Sequence, residues 1–75
     1  MKELVEYIAK NLVEHAEEVE VHSRRAGSNI YIDLTAASSD VGRLIGRRGR
    51  TAEAIRTVAR VAATRRGLRV NVDID

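Results

Sequence analysis

Few residues in this 75-residue chain are equipped for chemistry, and most of those sit together. Gly46-Arg47-Arg48-Gly49 is flanked by Arg43 and Arg50, so four arginines and two glycines share one short stretch. Arginine carries a planar fork matched to phosphate oxygens, whereas lysine offers a point charge. A Gly-x-x-Gly alone is weak evidence, because at ~7% glycine a chain this long has roughly a one-in-three chance of containing one. Its plain role is a helix–helix turn that uses glycine for positive φ. Three coincident features favour a phosphate-binding turn instead. Two residues without side chains let a phosphate reach the backbone. The start of the following helix presents free N–H groups and a partial positive charge. The intervening arginines add attraction and direct contact, and Leu44-Ile45 just before them can help floor an aliphatic groove.

Other candidates are thinner. The absence of cysteine excludes disulfides, thiol chemistry and cysteine-containing zinc sites. His15 and His22 are too few for a metal site, so neither a metal nor a cofactor is expected. Glu14, Glu17, Glu18 and Glu20 read as a solubilising acidic face. With no nucleophile–base pair and no nucleotide-binding fingerprint, no catalytic residue is assigned and an enzyme is not expected. Arg24 and Arg25 fall in a turn-forming stretch, and Tyr31 reads as a cross-strand packing residue.

These residues must be positioned by regular elements. Val5, Ile8, Ala9, Leu12 and Ala16 recur at helical spacing, which predicts a helix over about residues 2–17 with one buried stripe. Val19 and Val21, then Ile30, Ile32 and Leu34, alternate with polar residues around a Gly27-centred turn at 24–29. That predicts a β-hairpin. Ser39 or Asp40 can cap a short helix carrying Val41, Leu44 and Ile45. A longer helix is predicted from about Arg50 to Arg66, with Ile55, Ala59 and Ala62 on its inner face and Gly67 as the cap. Leu68, Val70, Val72 and Ile74 then alternate as a last strand. The order is α-β-β-α-α-β, an α+β fold in one domain over 1–75. A right-handed crossover makes the second and third strands parallel. The expected architecture is a three-stranded mixed sheet, second strand central, with three helices packed on one face.

Charge sharpens the picture. The whole chain carries a net +2, but residues 1–37 hold four bases against seven acids, while 38–75 hold nine bases against four acids. All nine bases of the second half are arginine. With no Trp or Phe and only Tyr7 and Tyr31, a nucleic-acid platform built on stacked rings is not expected. The N-terminal residues contain no unbroken apolar run, so neither a signal peptide nor a membrane span is expected, and the expected location is cytoplasmic.

The run Val41-Gly42-Arg43-Leu44-Ile45-Gly46-Arg47-Arg48-Gly49, followed by Ile55, resembles the signature of KH domains, an aliphatic-Ile-Gly-x-x-Gly turn between two helices. KH domains clamp about four nucleotides of single strand there. The element order resembles the type II arrangement, and the stretch Gly46 to Ala63 is most similar to the stand-alone bacterial KhpA family of small RNA-binding proteins. That resemblance covers the whole chain. It implies that Gly46, Arg47, Arg48 and Gly49 hold the RNA backbone, with Arg43 and Arg50 in flanking contacts. It further implies that Val41, Leu44 or Ile45, with Ile32 or Leu34, border the groove. The family's roles as RNA chaperones or post-transcriptional regulators, including in cell-shape control, are implied by the same resemblance.

One apolar feature exceeds the needs of the core. Ala54, Val58 and Val61 form a second stripe on the long helix, either the edge of the core or a protein interface. The resemblance implies a homodimer or a pairing with a larger KhpB-like KH protein, with no membrane or small-molecule substrate. Two other function classes fit the residues: a pure protein-interaction module acting through that helix, and a binder of a small phosphorylated ligand at the glycine turn.

Overall fold

In the computed structural model, which describes all 75 residues, period-two alternation becomes a three-stranded sheet. Strands β1 (Glu20–Ala26), β2 (Asn29–Thr35) and β3 (Arg69–Ile74) lie in that spatial order. β1 pairs antiparallel with β2 from Glu20↔Thr35 to Ala26↔Asn29. β2 pairs parallel with β3 from Asn29↔Arg69 to Leu34↔Ile74. This register turns Val21, Ile30, Ile32, Leu34 and Val72 to one face, where they join Val5, Ala9, Leu44, Ile55 and Ala59 in a single core. Helices α1 (Lys2–Lys10), α2 (Val41–Ile45) and α3 (Arg50–Thr64) cover that face, giving the expected α-β-β-α-α-β order and mixed sheet. No helix is long and apolar enough to cross a membrane.

Three local expectations are corrected. The hairpin turn is only Gly27-Ser28, so Arg24 and Arg25 belong to β1. Arg24 pairs with Tyr31 and places its guanidinium 4.6 Å from the ring centroid, a cation–π contact that gives Tyr31 its cross-strand packing role. On α3 the buried residues are Ala52, Ile55, Ala59 and Ala63, with Ala62 only half-buried. The third correction is the largest: α1 ends at Lys10 rather than near residue 17.

Its cause is a side chain distant in sequence. Asp40, only 1% exposed, sits at the start of α2 but does not cap it. Its carboxylate instead accepts the backbone N–H groups of Glu14 (3.2 Å) and His15 (2.9 Å). Those amides are therefore unavailable to carbonyls one turn back, and a helix through 14 and 15 would lose them. Asn11 closes α1 by donating its side-chain amide to the Tyr7 carbonyl at 2.7 Å. Leu12 is left exposed, and Ala16 begins a separate 3₁₀ turn, Ala16–Glu18. The cluster is completed by the His15 ring, whose Nδ1 lies 3.0 Å from Asp40, and by Arg43, which is ion-paired with Glu14 and 3.7 Å from Asp40.

The hydrogen bond to Asp40, followed by that residue's charge, raises the His15 pKa above its ordinary 6.5. Burial pushes Asp40 upward, but the amides of Glu14 and His15, and then the ring, outweigh it and hold the carboxyl below 3.8. The His15 contribution is thus complete below its ordinary value and disappears as pH rises through the raised one. The Asp40 contribution is present above its ordinary value and disappears as pH falls through the depressed one. The pair stabilises the fold most between about pH 4 and about pH 6.5. Thermal melting of wild type and His15→Ala checks this: the wild-type advantage in Tm should be larger near pH ~5.5 than near pH ~8.5. An equal advantage at both would show that the ring's charge contributes nothing.

Candidate nucleic-acid interface

Between α2 and α3 the backbone takes a path that one residue could not follow with a side chain and two more follow only in the left-handed region. Gly46 has φ 76° and ψ 173°, and a Cβ there would lie 2.2 Å from Thr51 Oγ1 and 2.9 Å from the Thr51 backbone nitrogen. Gly49, at φ 73°, precedes α3 in the left-handed region. Arg48 lies between them at φ 58°, the one non-glycine residue with positive φ. A left-handed arginine costs about 1–2 kcal/mol relative to its usual conformation. Such strain is retained where surrounding structure dictates the path, often at a binding site.

The turn sits on a firm base. α2 is too short to be stable alone. It is held by Leu44, which is completely buried and contributes about 1.5–3 kcal/mol by leaving water, and at its start by Asp40. Beyond the turn, a 3₁₀ turn leads into α3, with the Gly49 N–H bonded to the Gly46 carbonyl at 3.1 Å and the Arg50 N–H to that of Arg47, and the N-terminal end of α3 brings partial positive charge.

The arginines divide sharply. Arg47, Arg48 and Arg50 are exposed and form no ion pair. Arg43, expected beside them as a flanking contact, is instead committed to Glu14 and Asp40 and braces α2. The apolar candidates divide as well. Ile45 is 40% exposed beside the turn and Val41 is half-buried. Leu44 and Ile32, at 0% and 1%, lie in the core, as does Leu34, so none of these presents a surface to a ligand. They support the groove from beneath because their side chains face the helix–sheet layer.

A recess that sequence reasoning missed runs between α3 and the free edge of β3. Its near part is lined by Glu53, Arg56, Asn71, Val72 and Asp73, with Glu53 about one helical turn beyond Gly49. Arg56 spans it, donating Nε–H to the Val72 carbonyl at 3.1 Å, and lies 3.4 Å from Glu53. The N–H of Arg69 bonds to Ser28 at 2.8 Å and that of Asp75 to Leu34 at 2.9 Å, so odd-numbered residues of β3 face β2. In a parallel ladder this leaves the N–H and C=O groups of Val70, Val72 and Ile74 pointing outward along the edge. The available signal was Arg56 following the glycine turn by two helical turns, but the partner strand could not be assigned from spacing alone.

On the opposite side of α3, Ala54, Val58 and Val61 are exposed, Val58 at 43% and Val61 at 51%. They do not edge the core. Leu4, Ile8 and Leu12 of the N-terminal segment border the same apolar strip. His22 is exposed, and no group of histidine, aspartate and glutamate side chains is arranged to hold a metal ion.

The comparisons with known proteins agree with this geometry. The model of the family described as KhpA/KhpB, KH domain, matches residues 2–74. The chain is similar to RNA-binding protein KhpA of Halalkalibacterium halodurans, 45% identical over 74 residues that span 99% of this chain and 97% of that protein. It is also 45% identical to RNA-binding protein KhpA of Clostridium perfringens, covering 99% of each chain. Against RNA-binding protein KhpA of Chlamydia trachomatis, identity is 42% over 99% of this chain and 95% of that one. With a glycine turn between two helices, a type II order of elements and a family match over nearly its full length, the chain belongs to the KhpA/KhpB family of KH domains.

Proposed function

We propose that this protein binds single-stranded RNA without catalysing a reaction on it. Gly46–Gly49 receives the sugar-phosphate backbone, Arg47, Arg48 and Arg50 pair with its phosphates, and bases lie in the recess between α3 and β3. The observation that carries this reading is the turn itself. It has a left-handed path, the N-terminal end of α3 and three arginines with no acidic partner. Its chemistry suits a polyanion, and the outward groups of Val70, with the Val72 N–H, suit base edges. The relatives' name, RNA-binding protein KhpA, supports the same reading.

Single strand is favoured over duplex by the form of the site. The recess is flanked by one helix and one strand edge, and has no helix or ribbon projecting into a groove. Bases would rest on aliphatic and backbone groups, since neither tyrosine lines it. Phosphate contacts then dominate affinity, which falls with salt. A role as RNA chaperone or post-transcriptional regulator is what the resemblance to the KhpA family implies, and contacts made mainly to phosphates suit it.

A second surface serves a different partner. The strip of Ala54, Val58 and Val61 is apolar and continuous with α1, and of the turn's arginines Arg50 borders it while Arg47 and Arg48 do not. It fits a second copy of this chain or a larger KhpB-like KH protein, leaving the RNA site free.

Two measurements check these readings. Fluorescence titration of labelled single-stranded RNA should show wild type binding with a steep salt dependence. Arg47→Asp/Arg48→Asp should lose about tenfold or more in affinity and flatten the log–log salt slope by about 1.4, the value for two single-strand phosphate contacts. Equal binding by both proteins, or none by either, sinks the RNA reading. For the apolar strip, sedimentation should give a dimer mass for wild type and a monomer mass for Val61→Asp. An unchanged mass would remove the homodimer.

A further inference from the structure

The recess between α3 and β3 does not stop at its near part. It continues through Arg60, Val70 and Asn71 into a second lobe of about 370 Å³ bordered by Asn29, Thr64 and Arg69. The two lobes differ in charge. The near lobe contains Glu53 and Asp73, which oppose its arginines, and Glu53 lies 3.4 Å from Arg56 and 3.9 Å from Arg60. The far lobe has Arg60 and Arg69 in its wall and no acidic residue.

We propose that this far lobe is a second phosphate-binding site, centred on Arg69 with the Asn29 amide beside it, that grips the same RNA strand downstream of the glycine turn. The proposal rests on the RNA reading above and extends it. Arg69 is exposed and forms no ion pair. Its position is fixed: its backbone N–H bonds to the Ser28 carbonyl at 2.8 Å, and its Cα partner in the sheet is Asn29. Two turns, one closing the hairpin and one leaving α3, are thereby tied together through the Arg69 backbone. A planar fork and an amide carried by paired residues of neighbouring strands, both lining one lobe, suit a phosphate that bridges them.

The distance sets the strand length. α3 has 15 residues, so its two ends lie about 22 Å apart at 1.5 Å per residue. A strand of about four nucleotides occupies the turn and near lobe. A longer one, following the continuous recess, reaches Arg69 with its next phosphates. Arg65 and Arg66 add charge at the same end of α3 but border the other side of the helix, with Leu4 and Val61. They raise the local potential without lining the path.

That difference supplies the test. Oligouridylates of about four and about twelve nucleotides are titrated against wild type, Arg69→Glu and Arg66→Glu, two variants of equal net charge, at ~50 mM and ~200 mM salt. Wild type should bind the longer strand more tightly and with the steeper salt slope. Arg69→Glu should lose several-fold affinity for the longer strand and flatten its slope by about 0.7 or more, while the short strand is bound as before. Arg66→Glu should keep most of the advantage of the longer strand. If Arg69→Glu keeps that advantage as fully as Arg66→Glu, the far lobe does not hold RNA, including the case in which Arg69 serves an acidic protein surface instead. If wild type binds neither length, the RNA reading itself fails. Matching melting curves for the three proteins assign any loss to binding rather than folding.

Discussion

The approach of Gly46 to Thr51 is the contact on which the interface depends. A Cβ at residue 46 would overlap both the Thr51 side chain and its backbone nitrogen, so only glycine lets α2 end where α3 begins. Because the two helices meet there, the N-terminal end of α3, the left-handed Arg48 and the exposed Ile45 share one small surface. Any other residue at 46 would separate α2 from α3 and disperse those groups. The Asp40 cluster secures the opposite end of α2 against the segment after α1. A helix of five residues is thereby fixed at both ends and through Leu44 in the middle.

Charge on this surface is sorted by commitment rather than by number. Arg43 is used inside the fold, and Arg56 and Arg60 are braced by Glu53. Exposed pairs of this kind contribute less than about 1 kcal/mol each, so their main effect is to orient side chains. Arg47, Arg48, Arg50 and Arg69 have no such partner and remain open to an outside anion. The net +2 of the chain understates this, because its acids are concentrated near α1 and β1.

Much of the architecture is legible in the sequence. Alternation at Ile30-Ile32-Leu34 and Leu68–Ile74 marked the strands, and the crossover rule gave their parallel pairing. The Gly46–Gly49 turn stood out through its neighbours. What was missed depended on contacts between residues far apart in sequence. Helical periodicity ran on to Ala16, but Asp40, 25 residues beyond His15, captured the amides that would have continued α1. The same distance hid the pairing of Arg43 with Glu14, which turned an expected RNA contact into a brace. Leu44 and Ile45 are neighbours of similar polarity, and only the helix's orientation against the sheet decides that one is buried and the other faces the groove. The α3–β3 recess joins residues from two elements, so no local pattern announced it.

Amide chemical shifts followed through a titration with a short single-stranded oligouridylate test the central claim most directly. The account predicts the largest changes at Gly46 through Thr51, continuing along Arg56 and the Val70–Val72 edge of β3. Saturable changes confined to Ala54, Val58 and Val61, with the glycine turn unmoved, would contradict it.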